Sequence, residues 1–329
     1  MSSILITGGT GSLGSAIVRR ILGEPGWTRV IVLSRDDHKQ ADLRASLPEA
    51  ARDRLRLFVG DVRDLDRLRL AFDGVDSVIH TAALKRVEIA EYNPLEYTAT
   101  NVTGTNNVLR AARDSGVARV LFVSTDKAVN AITTYGRTKA LAESSVIAAD
   151  QSYSRPVSHC AVVRYGNVIG SRGSVVPLWV SQRASGRVTV TDPAMTRFLI
   201  TLDQAVTFVL SSLDRMRGGE IFVPKLPSCR MDALASAVAP WCTQEIIGVR
   251  GEEKLHEELL TEYETRRAQD VGDRFVVWPN GTDLRMVTNK VPTCFRYQSD
   301  GVAMTAGDLS ALLVAAGFAA PAARAAVGL

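Results

Sequence analysis

The sequence is poor in several things, and each scarcity removes a class of function. No run approaches the ~18 uninterrupted apolar residues of a membrane-spanning helix, so no membrane role is expected. Cysteine is rare: Cys160, Cys229, Cys242 and Cys294 are scattered and sit at no metal-ligand spacing. Reduced thiols follow from that pattern, and neither a disulfide framework nor a bound metal is expected. Excess charge of one sign is also missing. The 39 Lys+Arg against 35 Asp+Glu leave a net charge of +4, too weak and too dispersed to predict a nucleic-acid partner. The opening MSSILIT (Met1–Thr7) has no basic segment and no cleavage site, which predicts a cytoplasmic chain rather than an exported one. Lysine is the last scarcity: only seven of the 39 basic residues are lysines. Arginine stays protonated, whereas a lysine amine can release its proton when its surroundings favour that. The few lysines therefore merit scrutiny as proton-transfer groups.

What is present in the first half is alternation. Short apolar runs at Ile4–Thr7, Val30–Leu33, Leu55–Gly60, Ser77–His80, Val120–Val123 and Cys160–Val163 are separated by helical stretches, the first near Ser12–Leu22. Runs that are apolar throughout, bounded by glycine or polar residues, read as strands buried on both faces. Alternation with helices implies right-handed crossovers and a parallel sheet. The predicted class is α/β, a Rossmann-like doubly wound fold. After Val168 the regularity gives way to glycine, proline and short helices, which suits a smaller α/β substrate-binding lobe. The expected division is 1–167 for the dinucleotide-binding domain, with 199–223 docking back on it through a helix at Leu202–Met216 and a strand around Phe222. The lobe would take 168–198 and 224–329, ending in an alanine-rich helix from Ala303 that frays over Ala319–Leu329.

Gly8, Gly11 and Gly14 follow the first strand and open the first helix, with Thr10, Ser12 and Leu13 between them. Glycine at this spacing permits a tight turn and close approach of a pyrophosphate to the positive helix N-terminus. The end of the second strand selects the dinucleotide. An acidic residue there would bind a ribose 2′-hydroxyl; Ser34, Arg35 and Lys39 instead offer a donor and two cations suited to a 2′-phosphate. NADP is the expected cofactor, with Asp36 turned away as the cap of the next helix. Asp61 and Val62 follow the third strand, at the adenine edge. Ala82 and Ala83 follow the fourth and let the backbone pass close to the cofactor.

Tyr135 and Lys139 form a Y-x-x-x-K pair, one helical turn apart and so on one face. A phenol with a pKa of ~10 is a poor base at neutral pH; a neighbouring ammonium and a positive nicotinamide ring would lower it. Tyr135 could then take a hydroxyl proton while hydride leaves the same carbon.

Together these features resemble the extended short-chain dehydrogenase/reductase superfamily. Within it, Ser124-Thr125-Asp126-Lys127 narrows the match. Epimerases of the superfamily need only a hydroxyl there, whereas an adjacent acid and base are what a dehydration requires. Five further motifs resemble the UDP-N-acetylglucosamine 4,6-dehydratases of the polysaccharide biosynthesis protein family. They are ALKRVEIAEYNP (83–94), RYGNVIGSRGSVVP (164–177), MTRF (195–198), GEIFVP (219–224) and EKLHEEL (253–259). The similarity runs from Ile4 to about Pro279. It is nearest to the short, C5-inverting type of the pseudaminic acid pathway, because larger membrane-anchored relatives usually carry methionine where Tyr135 stands.

The resemblance implies a cycle without net redox change. Tyr135, tuned by Lys139, deprotonates the sugar 4-hydroxyl, with Thr125 bonding that oxygen. Lys127, as a free amine, removes the C5 proton. Asp126, as a neutral acid, protonates the departing 6-hydroxyl. Lys85 would approach both cofactor and sugar, Asn167, Arg172 and Arg197 the diphosphate, and Arg250 and Glu253 the nucleoside. The partner would be a UDP-N-acetylhexosamine, and the chain a homo-oligomer as such relatives commonly are. Three departures from the family pattern leave the sugar and base open: RGEEK (250–254) lacks a proline, Asn130-Ala131 stands for Asn-Pro, and Thr81 replaces alanine. An epimerase, a 5,6-dehydratase and a non-catalytic NADP sensor remain as alternatives.

Overall fold

A computed structural model describes residues 2–151, 158–249, 251, 253–293, 295–301 and 303–318. Arg250, Cys294 and the tail Ala319–Leu329 lie outside the described residues. Six parallel strands form the body of a nine-stranded sheet. They are β1 (Ser2–Thr7), β2 (Trp27–Ser34), β3 (Leu55–Val59), β4 (Ser77–His80), β5 (Arg119–Val123) and β6 (His159–Val163). Their spatial order is β3-β2-β1-β4-β5-β6, the doubly wound arrangement expected from the sequence. The chain reverses direction between β1 and β4, and such switch points open a crevice at the carboxyl ends of the strands.

Side-chain alternation explains why these strands read as unbroken apolar runs. Ile4 and Ile6 point into one core with Ile17, Val18, Val30, Val32, Ile79, Leu121 and Val209. Leu5 points into the opposite core with Ile31, Leu33, Leu68, Phe72, Val78, Val108, Phe122 and Val146. Helices cover both faces, so the strand interiors are apolar and the polar residues sit at the strand ends, as Ser3, Thr7, Ser77 and His80 do. Burying a Leu, Ile or Val side chain contributes roughly 1.5–3 kcal/mol.

The helix Leu202–Arg215 packs on the helix Ser12–Gly23 and on β5, and the strand Ile221–Pro224 pairs parallel with β6. The expectation that 224–329 lies wholly in the lobe fails at 268–277. Ala268–Asp270 and Arg274–Val277 pair antiparallel and extend the large sheet beyond Ile221–Pro224. Phe275 and Val277 fill one core and Val276 the other, a period-2 pattern masked in the sequence by flanking charges.

The lobe has its own core, built from Ile169, Val176, Trp179, Val188, Val190, Leu199, Leu234, Val238, Leu309 and Leu313. Its largest sheet joins Asn167–Val168, Thr196–Ile200 and Ser228–Arg230. Thr196–Ile200 ties the two halves together: Leu199 faces the lobe, Phe198 and Ile200 the two main cores. The helix Ala306–Ala315 packs on Met231–Val238, as the expectation of a C-terminal helix required. Among the described residues no helix is long and apolar enough to cross a membrane.

Candidate active site

Strand register assembles the cleft. Thr7 lies opposite Leu33 and His80, His80 opposite Phe122, and Phe122 opposite Val162. The turns that follow these strands therefore emerge at one level on one edge. Between them lies a cleft of about 550 Å³. It is lined by Gly8, Thr10, Gly11, Ser12, Leu13, Gly14, Ser34, Arg35, Lys39, Asp61, Val62, Ala82, Ala83, Lys85, Thr125, Lys127, Tyr135, Lys139, Asn167 and Arg172. Every residue expected to hold the cofactor is in that set. A second cavity of about 200 Å³ adjoins it, sharing Lys127 and Asn167, and is lined by Arg197, Glu253, Trp179, Met195 and Glu257 among others.

The glycine turn fits a dinucleotide. Gly8 has φ +66, and a side chain there would meet the Ala82 backbone at 2.8 Å. One at Gly14 would meet the Gly8 carbonyl at 2.5 Å. The helix Ser12–Gly23 starts without a side-chain cap, leaving N–H groups free for an anion. Three buried polar atoms on the cleft wall, Thr100 Oγ1, Ser124 Oγ and Asn167 Oδ1, have no hydrogen-bond partner among the described residues. Buried polar atoms of this kind are normally satisfied, so they mark where a ligand would bond.

The 2′-phosphate cradle is less open than the sequence implies. Asp36 does cap the helix Asp37–Ala45, accepting from the Lys39 N–H at 2.9 Å. Its other oxygen also holds the Lys39 ammonium at 2.5 Å. Arg35 lies 3.8 Å from Asp61, and Ser34 Oγ accepts from Gln40 at 3.0 Å. Burial works to raise Asp61, but hydrogen bonds from Arg63 hold it below the usual carboxylate range.

The catalytic candidates converge around the turn after β5. Thr125 caps that turn, and its hydroxyl donates to Asp126 Oδ1 at 2.9 Å. Lys127 Nζ donates to the same oxygen at 3.0 Å. Gly136 makes this approach possible: a side chain there would meet the Lys127 carbonyl at 2.2 Å. Asp126 is fully buried, and burial foremost pushes its carboxyl up, toward the neutral acid expected. Lys127 departs from expectation. Burial disfavours its ammonium, yet Asp126 and Glu257 outweigh that and hold it above the ordinary lysine range. Glu257 Oε1 lies 3.1 Å from Lys127 Nζ. The resting lysine is a cation, not a free amine.

Tyr135 and Lys139 also differ from expectation. Burial pushes the Tyr135 phenol up to about 12, and the cation opposing this is Lys127 rather than Lys139. Lys139 instead donates to the Val123 carbonyl at 2.8 Å and lies 3.8 Å over the Phe122 ring. Burial lowers it to about 7.

The outer candidates divide. Arg172 sits against the glycine turn, donating to the Thr10 carbonyl at 2.9 Å and accepting no place in the second cavity. Arg197 does line the second cavity, but its guanidinium donates to the Thr196 and Leu255 carbonyls at 2.7 and 3.1 Å. Burial lowers Lys85 below the usual lysine range.

Two residues escaped the sequence. Glu257 lies inside EKLHEEL (253–259), but nothing local says that it reaches Lys127. Asn101, in a π-helical turn at Thr98–Thr103, donates to the Leu84 carbonyl and to Thr138 Oγ1, both at 3.0 Å. It ties the loop carrying Lys85 to the helix carrying Tyr135; a π-turn, common at functional sites, has no sequence signature.

Fold and cleft together define a Rossmann-like short-chain dehydrogenase/reductase. More particularly, the chain belongs to the polysaccharide biosynthesis protein family, which matches residues 4–279. It is 41% identical over 311 residues to a UDP-N-acetylglucosamine 4,6-dehydratase (inverting) of Campylobacter jejuni subsp. jejuni serotype O:2, covering 91% of this chain and 92% of that protein. It is 39% identical over 290 residues to a UDP-glucose 4-epimerase of Rickettsia canadensis, covering 86% and 84%. Among solved structures, Pen from Bacillus thuringiensis superposes with a TM-score of 0.90 at 34% identity, covering 96% of this chain and 98% of that one.

Proposed function

We propose that this chain is a nucleotide-sugar 4,6-dehydratase that uses NADP and converts UDP-N-acetylglucosamine to a UDP-4-keto-6-deoxy-hexosamine with inversion at C5. The carrying observation is the Asp126–Lys127 pair at 3.0 Å, a buried acid bonded to a lysine that lines the cleft also holding Tyr135. The bond sets an acid and a base side by side, as the removal of water from C5–C6 needs. The Campylobacter relative's name supports the sugar and the inversion.

A nicotinamide in the cleft would accept hydride from C4 and later return it to C6. The chain supplies the rest. Tyr135 takes the 4-hydroxyl proton, helped by Thr125 and by the positive ring charge that must offset its burial. Lys127 removes the C5 proton, made acidic by the C4 ketone. Asp126 delivers its proton to the 6-oxygen as water leaves. Ser34, Arg35 and Lys39 would turn to a 2′-phosphate, exchanging weak exposed ion pairs for charge-assisted bonds.

The Rickettsia relative's name favours a second reading, an epimerase in which Asp126 and Lys127 stay idle. Mass spectrometry of UDP-N-acetylglucosamine incubated with the protein separates the two. Loss of one water without added reductant is expected. An unchanged mass with altered C4 stereochemistry would replace the dehydratase by the epimerase. Proton NMR in deuterated water then reads the C5 configuration and distinguishes 4,6- from 5,6-dehydration.

A further inference from the structure

Lys127 poses a problem that the Asp126–Lys127 pair does not solve alone. Burial and the nearby Glu257 favour Asp126 in its protonated form. An Asp126 that already carries the leaving-group proton has no room for the proton Lys127 must shed. Asp126 and Glu257 are almost fully excluded from solvent, while Lys127 is half-buried at the cleft wall. A proton leaving Lys127 needs an acceptor within hydrogen-bond reach.

Among the described residues, Glu257 is the other carboxylate within reach. Glu257 Oε1 lies 3.1 Å from Lys127 Nζ, and Asp126 Oδ1 lies 3.0 Å from it. Glu257 Oε2 is buried without a hydrogen-bond partner among the described residues, as is Asp126 Oδ2. Each carboxylate thus binds Lys127 with one oxygen and keeps the other free. The charged groups facing Glu257 are Lys127 from the turn after β5, Arg197 from Thr196–Ile200 at 3.9 Å, and Lys254 from its own segment, with Asp126 beyond Lys127. Burial works to raise Glu257, but these cations hold it ionised, below the usual carboxylate range. His256 turns away to Thr196 Oγ1 at 2.8 Å.

Building on the dehydratase reading, we propose that Glu257 is the proton-holding partner of Lys127, taking the ammonium proton so that the amine can attack C5–H while Asp126 keeps its own proton for the 6-oxygen. The step balances. The Lys127 N–H proton moves to Glu257 Oε1, leaving a neutral amine and a neutral carboxylic acid. The amine lone pair then takes the C5 proton, and the C5–H electrons pass into the C4 carbonyl as an enolate. Collapse of the enolate forms C5=C6 and breaks C6–O, whose oxygen leaves as water with the Asp126 proton. Lys127 ends as ammonium and Asp126 as carboxylate, with Glu257 carrying the surplus proton. Glu257 touches no reacting atom and acts through Lys127, so it is a positioning residue.

Glu257→Gln keeps the shape and removes the acceptor. Two partial reactions are followed on the same protein with UDP-N-acetylglucosamine in deuterated water: near-ultraviolet absorbance of reduced nicotinamide for C4 oxidation, and NMR for C5 exchange. The expected result is C4 oxidation and KM within about threefold of the parent, with C5 exchange and water loss reduced ~10²–10⁴-fold, the scale of one proton-transfer group. The deficit should shrink as pH rises and Lys127 loses its proton to solvent. Glu257→Asp, which keeps a carboxylate, should recover part of the exchange and serves if the glutamine variant does not fold. C5 exchange at the parent rate or faster would overturn the proposal, since Glu257 would then only hold Lys127 charged. Equal loss of both partial reactions would also overturn it, as a structural defect. A parent protein that releases no water would overturn the dehydratase reading itself, a result visible before any variant is made.

Discussion

Two clusters of buried charge sit within the same fold and are finished differently. In the first, Arg164 bonds Glu143 through Nε and Nη2 at 2.7–3.0 Å and Glu264 through Nη1 at 2.8 Å. The Leu259 carbonyl takes a further Nη1 bond, and Glu264 Oε2 also accepts from Thr261. No oxygen of either glutamate is left without a partner. In the second, Lys127 bridges Asp126 and Glu257, and each carboxylate keeps one buried oxygen unpaired. Buried polar atoms are ordinarily satisfied because an orphan costs on the order of 1–3 kcal/mol. A closed cluster holds structure together; an open one stores valences for a substrate. Glu143 stands one turn beyond Lys139, and Glu264 caps the short helix Glu262–Thr265. The closed cluster therefore clamps the helix carrying Tyr135 to the segment carrying Glu257.

Removing Lys127 from the open cluster should damage chemistry more than folding, because burial lets Asp126 rest neutral and Glu257 still faces Arg197 and Lys254. Lys127→Ala should cut water loss by ~10³-fold or more, within or above the range of one acid–base group, while C4 oxidation persists as a reduced-nicotinamide signal. Dehydration at the parent rate would remove Lys127 from the mechanism and erase the contrast between the clusters. The closed cluster should respond in the opposite sense. Arg164→Met leaves two buried carboxylates without a cation, a change that costs about 3–5 kcal/mol, read as a lower urea midpoint. A midpoint unchanged within error would show that the closure of this cluster carries no structural weight.

A milder effect is expected at the cleft rim, where Arg35 and Lys39 form half-exposed pairs with Asp61 and Asp36. Exposed pairs contribute about 0–1 kcal/mol, and a 2′-phosphate offers charge-assisted bonds of about 1.5–3 kcal/mol. Arg35→Ala should therefore weaken NADP binding by about tenfold in calorimetry and leave NAD binding nearly unchanged. Equal loss for both dinucleotides would argue against a 2′-phosphate contact and for NAD.

The contrast also separates what the sequence makes legible from what it hides. β1, β2, β4, β5 and β6 are legible because their cores are buried on both faces, so composition alone marks them; β3, half exposed at the sheet edge, is marked by its place in the alternation. The glycine turn, Asp126-Lys127 and Tyr135…Lys139 are legible because their chemistry depends on short spacings. Contacts made across the fold are not. Glu257 meets Lys127 from 130 positions away in the chain, and in the sequence it is one acid in a charged stretch. For the same reason the charge of Lys127 is not legible: burial alone would strip its proton, but the adjacent Asp126 together with Glu257 from a distant segment reverses the balance. The outer strands Ala268–Asp270 and Arg274–Val277 are not legible because they are only three or four residues long and include Asp270 and Arg274, leaving no apolar run to recognise.

Lys139 offers the smallest and most specific test, because it is the buried cation that neither cluster neutralises directly. Its ammonium has the Val123 carbonyl and the Phe122 ring, while the nearest carboxylate along its helix, Glu143, is committed to Arg164. Burial lowers it from 10.5 to about 7, with Glu143 opposing only in part. Between those two values the unfolded chain binds more protons at this site than the folded protein does. Folding stability from this group must then rise with pH across about 7 to 10.5, by at most ~1.4 kcal/mol per pH unit. Below that window the full cost of burying the charge is present, and above it the cost is gone. Other groups titrate there too, so the measurement is a difference. Urea midpoints of the dinucleotide-free protein and of Lys139→Met are compared from pH 7 to pH 9. The parent should gain stability with pH relative to the methionine variant. Parallel curves would mean that Lys139 keeps its proton in the folded state and that the Glu143 carboxylate reaches it despite Arg164, making the closed cluster an electrostatic part of the active site.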